Sequence, residues 1–481
     1  MPTLHKHQQE ALDNIVKAIQ DGSGSAVGRV VIPTGGGKTF IEAATLDYQR
    51  NHNSKNRIHL VLAPRILLAN QLYDDYRTYC GNVYRSMAFH SGKKEINREK
   101  VKIKWQEMST TRKDVVLKEK DRANSTGMDL VVFSTYHSCE RLEGIEFDTI
   151  IADESQYCVS ENFNDSLKKL SGRVRLFFTA TERYTPSDNG RGLNNLEMYG
   201  DRLYEIKPAE LIKRDLIVPP RLHIMYCKTK NESATIISEV LELAKEQDRI
   251  TKDDLGFSKI LFAMNGTDDV KTVLDNLDKI KKEMPDHDVF TITSKTGAKI
   301  NGKPMRRELF IEKIKEGKNC LIFHYDILSE GIDVDGITGV ALMRNLGLSK
   351  LLQTIGRAVR IYKPDPALKK QAWISVPVIN GNEDDKEQVK KYVNAIRDAG
   401  YDISAETVYE SGIPRHDPDE VDIGDAYVKY KPNFNKHFVT DIFHEVEEAE
   451  WLIKLRNVDI HDFISLMKTR NHTLTNTYIS V

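Results

Sequence analysis

No run in this 481-residue chain is apolar for long enough to span a bilayer, so no membrane partner is expected. The first residues, Met1-Pro-Thr-Leu-His-Lys-His7, lack the apolar core of a secretory signal, and a cytoplasmic location is expected. Cysteine is scarce. Cys80, Cys139, Cys158, Cys227 and Cys320 are odd in number, scattered, and form no CxxC pair. That spacing argues against a disulfide framework and a zinc site, and fits reduced, structural thiols. Neither charge dominates: 70 Lys and Arg face 71 Asp and Glu, a net charge of −1. A nucleic-acid partner would therefore be held by local basic patches, without a global positive field.

The length exceeds what one hydrophobic core supports, so two or three domains are expected. Short apolar runs alternate with amphipathic helical stretches, the pattern of a parallel sheet flanked by helices. In the first half these runs fall at 28–32, 58–63, 129–134, 148–152 and 174–178. Leu216-Ile-Val-Pro-Pro-Arg221 reads as a linker, because tandem prolines stop both a helix and a central strand. A second series follows at 259–264, 289–293, 320–324, 340–343 and 373–378, with helical stretches at 234–246 and 269–282. The expected fold class is α/β, with lobes at 1–215 and 216–380 and a small accessory domain at 381–481.

Pro33-Thr34-Gly35-Gly36-Gly37-Lys38-Thr39 lies between the first apolar run and a helical pattern. Strand, glycine loop and helix N-terminus in that order form a phosphate-binding loop. Its amides and the helix dipole would hold phosphate oxygens, Lys38 would reach the β/γ-phosphates, and Thr39 would hold Mg²⁺. Position 32, where the GxxxxGK[ST] pattern asks for glycine, is Ile32.

Asp148-Thr-Ile-Ile-Ala-Asp153-Glu154-Ser155-Gln156 is an apolar strand ending in two carboxylates. At such a tip Asp153 can hold Mg²⁺ while Glu154 polarises an attacking water, where open α/β sheets place their ligands. Phe177-Phe178-Thr179-Ala180-Thr181 is another apolar strand ending in hydroxyl residues. Gln353-Thr-Ile-Gly356-Arg357-Ala-Val-Arg360 sets two arginines on one helical face. Gly356 before Arg357 suggests close approach to something, and arginine suits the spreading charge of a phosphoryl transition state.

PTGGGKT, DESQ, TAT, SEGIDV and QTIGRAVR resemble, in order and approximate spacing, the motifs of superfamily-2 helicases and translocases, over residues 4–378. These enzymes carry a PTGxGKT-type loop, which accounts for Ile32. The resemblance implies two RecA-like lobes with ATP between them. It implies that Gln8 reads adenine and that Thr34, Gly35, Gly36, Gly37, Lys38, Thr39, Gly331 and Asp333 contact the nucleotide. It implies Gln353, Arg357 and Arg360 as catalytic partners of Lys38, Asp153 and Glu154, with Thr179 and Thr181 coupling the lobes. Pro64, Arg65, Thr135, Asn265, Ser294 and Lys295 resemble residues that touch a nucleic-acid backbone.

Gln156 stands where DEAD- and DEAH-box members carry Asp or His, and the SEGIDV run and residues 210–220 look more like the DNA-acting members: restriction-enzyme motor subunits, repair helicases and phage recombination helicases. The expected activity is ATP-dependent DNA translocation or unwinding, in host cytoplasm if the chain is phage-encoded. The alternatives are an RNA helicase, or a clamp that hydrolyses ATP without separating strands. Oligomeric state is left open. One charged insertion, 91–127, carries Trp105 and an excess of lysine and arginine. It reads either as a solvated helical hairpin or as an arm contacting a nucleic-acid backbone.

Overall fold

The computed structural model describes residues 3–52, 57–81, 83–92, 109–185, 190–227, 235–293, 295–325, 334, 336–343, 346, 348–379, 383–404 and 408–411. The first lobe opens with α1 (Lys6–Asp21), β1 (Ala26–Val31), α2 (Lys38–His52), β2 (Ile58–Ala63) and α3 (Ile66–Cys80). Next come β3 (Tyr84–Phe89), β4 (Ser109–Thr110), α4 (Lys113–Ser125) and β5 (Asp129–Thr135). The lobe closes with β6 (Glu146–Ala152), α5 (Glu161–Lys168), β7 (Ser171–Thr179), α6 (Leu196–Tyr199), β8 (Asp201–Glu205) and α7 (Pro208–Lys213). Its strands form one parallel sheet in the order β4-β3-β5-β2-β6-β7-β1-β8.

Helices cover both faces, so the strands read as nearly unbroken apolar runs. Successive side chains still divide between two cores. Val61, Phe133, Ile151 and Phe178 pack on one side, and Leu60, Leu62, Val132, Ile150 and Phe177 on the other.

The second lobe begins with β9 (Pro220–Cys227), α8 (Thr235–Leu255), β10 (Lys259–Ala263), α9 (Thr267–Asp275), α10 (Leu277–Glu283) and β11 (Asp288–Thr293). The hairpin β12 (Gly297–Ile300) and β13 (Lys303–Met305) follows, then α11 (Arg307–Glu316), β14 (Cys320–His324) and β15 (Gly339–Leu342). Finally come α12 (Leu348–Ala358), β16 (Ala372–Ile379), α13 (Glu383–Asp398) and β17 (Tyr409–Ser411). The order is β13-β12-β11-β14-β10-β15-β16-β9-β17, parallel except where β12 pairs with β11 and β13. Two parallel-dominated sheets flanked by helices match the α/β fold expected.

The structure departs from the sequence reading in three places. Pro220 opens β9, an interior strand, because a proline at a strand's first residue removes no essential ladder bond. The linker is thus shorter than 216–221 and is itself buried, with Ile217 bridged to Arg360. Residues 269–282 hold two helices with Asn276 between them, not one. The segment 383–411, assigned to an accessory domain, adds α13 and β17 to the second lobe, with β17 paired on β9. The rest of that domain lies outside the described residues. Among the described residues no helix is long and apolar enough to cross a membrane, and Cys80, Cys139, Cys158 and Cys320 are buried without disulfides.

Half of the charged insertion is a wall of the first lobe. β4 pairs with β3, and α4 buries Val116, Glu119 and Ala123 against the sheet. Glu119 is 2% exposed and accepts from Arg85 at 2.8 Å while also pairing Arg122. Residues 93–108, with Trp105, lie outside the described residues. Glu119→Ala should therefore lower first-lobe stability by about 1–3 kcal/mol in denaturant titration, since the buried pairing with Arg85 is lost. A change within about 0.5 kcal/mol would mark α4 as a loosely attached appendage.

Candidate functional site

β6, β7 and β1 lie side by side and parallel, so their carboxyl ends emerge together. The Ile32 amide donates to the Thr179 carbonyl at 2.9 Å, carrying the ladder one residue past β1. The glycine loop then turns back on itself, the Gly36 amide donating to the Pro33 carbonyl at 3.0 Å. Gly35 and Gly37 sit at φ +91° and +79°, a region that side chains strain to enter. A Cβ on Gly36 would lie 2.5 Å from Ile32 Cγ2, so the isoleucine that replaces a loop glycine is matched by glycine opposite it. Lys38 and Thr39 open α2, where its free amides and positive dipole end face the loop.

Three carboxyls gather beneath this loop. Glu154 has φ +51°, a left-handed conformation that ends β6 sharply. Its Oε1 stands 3.9 Å from Lys38 Nζ. Asp153 is 5% exposed, with Oδ1 accepting from the Glu154 amide at 2.8 Å. Burial, then the Glu154 charge, pushes the Asp153 carboxyl up to about 7. Glu42, one turn along α2 from Lys38, is fully buried and accepts from the Tyr76 hydroxyl at 3.1 Å. Burial, then Asp153, holds its carboxyl well above the usual range. The sequence reading missed Glu42. The available signal was a carboxylate four residues after Lys38, on the inward face of α2.

From Glu154 a hydrogen-bonded chain crosses to β7. Gln156 Nε2 donates to Glu154 Oε2 at 2.7 Å, and Thr179 Oγ1 lies 2.7 Å from Gln156 Oε1. Thr179 Oγ1 also accepts from the Thr181 amide at 3.0 Å. The acid pair and the TAT segment are thus one connected unit.

The second lobe closes over the loop through α12. A Cβ on Gly356 would lie 2.5 Å from Thr34 Cβ, so the glycine foreseen as a point of close approach meets the phosphate loop. The Val218 amide donates to the Val359 carbonyl at 2.7 Å, tying the inter-lobe segment to the end of α12. Arg357 is 6% exposed. With Arg360 and Gln353 it lines a cavity of about 430 Å³ whose other wall holds Gln8, Thr34, Gly35, Gly36, Gly37, Lys38, Thr39, Asp153 and Glu154. Lys363 lines it too, a further cation not foreseen.

Gln8 reaches the loop itself: its Oε1 accepts from the His5 amide at 2.9 Å and its Nε2 lies 3.4 Å from the Gly36 carbonyl. His7 Nε2 lies 2.8 Å from the same carbonyl and donates to it. Burial lowers the His7 pKa and favours the neutral ring, the form with that nitrogen protonated fitting the contact. Phe40 and Tyr79 stack at the cavity edge, 4.1 Å between centroids.

The expected nucleic-acid residues lie elsewhere, at other strand ends. Pro64-Arg65 follows β2 and Thr135 ends the neighbouring β5; Arg65 is exposed, whereas Pro64 and Thr135 are buried. Asn265 and Lys295 are exposed beyond β10 and β11. Gly331, Asp333 and Ser294 lie outside the described residues.

The donor set fits a hard, oxygen-seeking cation. Asp153 and Thr39 face one cavity, and burial raises the proton affinity of Asp153 and of Glu42 beneath it, which a divalent ion would relieve. Among the described residues no three His, Cys, Asp or Glu side chains form a closed metal cage. Mg²⁺ is commonly held this way, by one or two protein oxygens together with substrate phosphates.

Residues 1–183 match the family described as Type III restriction enzyme, res subunit. The fold is similar to that of the ATP-dependent Type ISP restriction-modification enzyme LlaBIII bound to DNA, at TM-score 0.64 and 16% identity over 86% of this chain and 32% of that one. A nuclease-deletion mutant of the Type ISP enzyme LlaGI, in complex with a DNA substrate mimic, gives 0.57 and 18% identity over 85% of this chain and 30% of that one. The chain thus spans about a third of the length of these enzymes, and the likeness is one of fold. No curated protein matches it in sequence.

Asp153 links the site to stability. Its folded pKa stands above the unfolded value of about 3.9, so the fold prefers the protonated acid. That preference is fully present below pH about 4 and is lost as pH rises through about 7. In metal- and nucleotide-free protein, Asp153→Asn should be more stable than wild type by on the order of 1–3 kcal/mol at pH 8, the gap shrinking towards pH 4. Thermal melts at both pH values check this, and a gap that does not shrink in acid would show that Asp153 is not the group responsible.

Proposed function

We propose that this chain is a superfamily-2 helicase, a reading its matched first segment, its fold and its ordered motifs support, and that it hydrolyses ATP between its lobes to move on and remodel DNA. The observation that carries the reading is the cavity walled by Lys38, Asp153 and Glu154 from one lobe and Arg357 and Arg360 from the other. In this reading the loop amides and Lys38 grip the β- and γ-phosphates. Thr39 and Asp153 would hold Mg²⁺, which when bound supplies a positive charge that screens the phosphate oxygens.

Glu154 takes the proton from the attacking water, whose oxygen bonds to the γ-phosphorus as the bond to the β-γ bridging oxygen breaks. Gln156 fixes the carboxylate that accepts the proton. Arg357 and Arg360 meet the charge spreading over the γ-phosphoryl oxygens. Because these groups belong to different lobes, closure assembles the site and product release lets it open. The chain Glu154–Gln156–Thr179–Thr181 would pass that change to the strand ends bearing Arg65 and Thr135. Arg65, Asn265 and Lys295 are exposed and suit a phosphate backbone, which needs no sequence readout.

DNA is favoured over RNA because both restriction enzymes of similar fold are described with DNA or a DNA mimic. Branched duplex, as met in replication, recombination or repair, is the substrate class that suits a motor without base readout. The five scattered cysteines fit a cytoplasmic setting.

ATP turnover measured at fixed salt with single-stranded DNA, branched DNA and RNA tests the reading. DNA should stimulate, branched DNA most, and Glu154→Gln should bind ATP yet lose about 10²–10⁴-fold in turnover. Stimulation by RNA alone would overturn the DNA assignment, and wild-type turnover by Glu154→Gln would overturn the acid pair's role.

A further inference from the structure

The arginine pair is held in place from an unexpected direction. We propose that Lys369 is a positioning residue for Arg357 and Arg360: its ammonium staples the end of the helix that carries them. The inference rests on the role given to those arginines above.

Lys369 lies in the loop between α12 and β16 and is 2% exposed. Its Nζ donates to the carbonyls of Ile337 at 2.6 Å and Arg360 at 2.7 Å, and to that of Ala358. An ammonium has three N–H donors, and here they meet three main-chain acceptors. Ala358 ends α12, whose last carbonyls lack partners within the helix and carry its negative dipole end. A buried cation serves both needs.

The stretch just after α12 is also gripped from the other side. The Val359 carbonyl accepts from Val218, and Arg360 bridges Ile217, both on the segment joining the lobes. Residues 358–360 therefore sit between a lysine of the second lobe and the segment leading from the first. Arg357 immediately precedes that clamp and Arg360 lies in it. Without the ammonium, the carbonyls of Ile337, Ala358 and Arg360 lose a donor and the end of α12 is held from one side only. A displacement of about 1 Å at a catalytic group can cost on the order of 10²-fold in rate.

A second buried lysine supplies the control. Lys259, also 2% exposed, donates through Nζ to the Ile314 carbonyl at 2.8 Å and the Lys315 carbonyl at 3.4 Å, at the end of α11. It does not line the cavity. The two lysines make the same kind of bond, and one of them has arginines next to it.

The test compares Lys369→Met, Lys369→Gln, Lys259→Met, Arg357→Ala and Arg360→Ala in the full chain, reading nucleic-acid-stimulated kcat, KM for ATP, ATP binding and melting temperature. Lys369→Met should lower kcat about 10–100-fold with ATP binding held within about threefold. Lys369→Gln, which keeps two donors, should recover part of the loss, and it is read by the same criteria if the methionine variant does not fold. Lys259→Met should lose melting temperature and keep kcat. If the arginine variants lose turnover while Lys369→Met keeps it, the lysine inference alone falls. An equal loss of kcat in both lysine-to-methionine variants would reduce Lys369 to general stability and overturn it. If the arginine variants keep wild-type turnover, the reading of the arginines fails and the inference fails with it.

Discussion

The close approach of α12 to the phosphate loop is the contact on which the rest of the site depends. It is possible because position 356 has no side chain: a single methyl there would overlap Thr34. Once the helix lies that close, Arg357 and Arg360 join a cavity whose floor belongs to the other lobe. The buried segment at Ile217 and Val218 fixes the approach from behind. Neither lobe contains the whole constellation, so under the proposed function chemistry and lobe movement would be linked.

The electrostatics of the floor point the same way. Glu42, Asp153 and Glu154 are packed against one lysine, and burial leaves two of these carboxyls with raised proton affinity. Such a cluster costs stability in the free protein and is eased by positive charge. Under the proposed function, a cation held with the substrate phosphates would supply it. The strain at Glu154, held at φ +51°, lies in the same place, where a site and not a core has shaped the backbone.

Much of this was legible in the sequence because the informative residues sit at strand tips. Ile58–Ala63 and Cys320–His324 are fully buried strands flanked by turn residues, and their apolar runs mark them without ambiguity. The glycine loop and the acid pair follow such runs directly, so their neighbourhood was implied by a parallel sheet. Gly356 hinted at a contact, though only the folded chain identifies Thr34 as its partner. What stayed hidden depended on long-range packing. Pro219-Pro220 masks the start of β9, since proline signals a break and says nothing of an interior strand beginning there. Glu119 and Lys369 belong to residue types that normally mark solvent, yet both are 2% exposed because specific partners reach them.

The central claim is that the two lobes share one catalytic site through the contact at Gly356. Rapid-quench ATP hydrolysis by Gly356→Ala tests it most directly, because alanine favours the helix by about 1 kcal/mol and so spares the second lobe itself. The account predicts ATP binding within a few-fold of wild type and a fall in turnover of about 10²-fold, as the added methyl pushes the arginines off the loop. Wild-type turnover in that variant would contradict it.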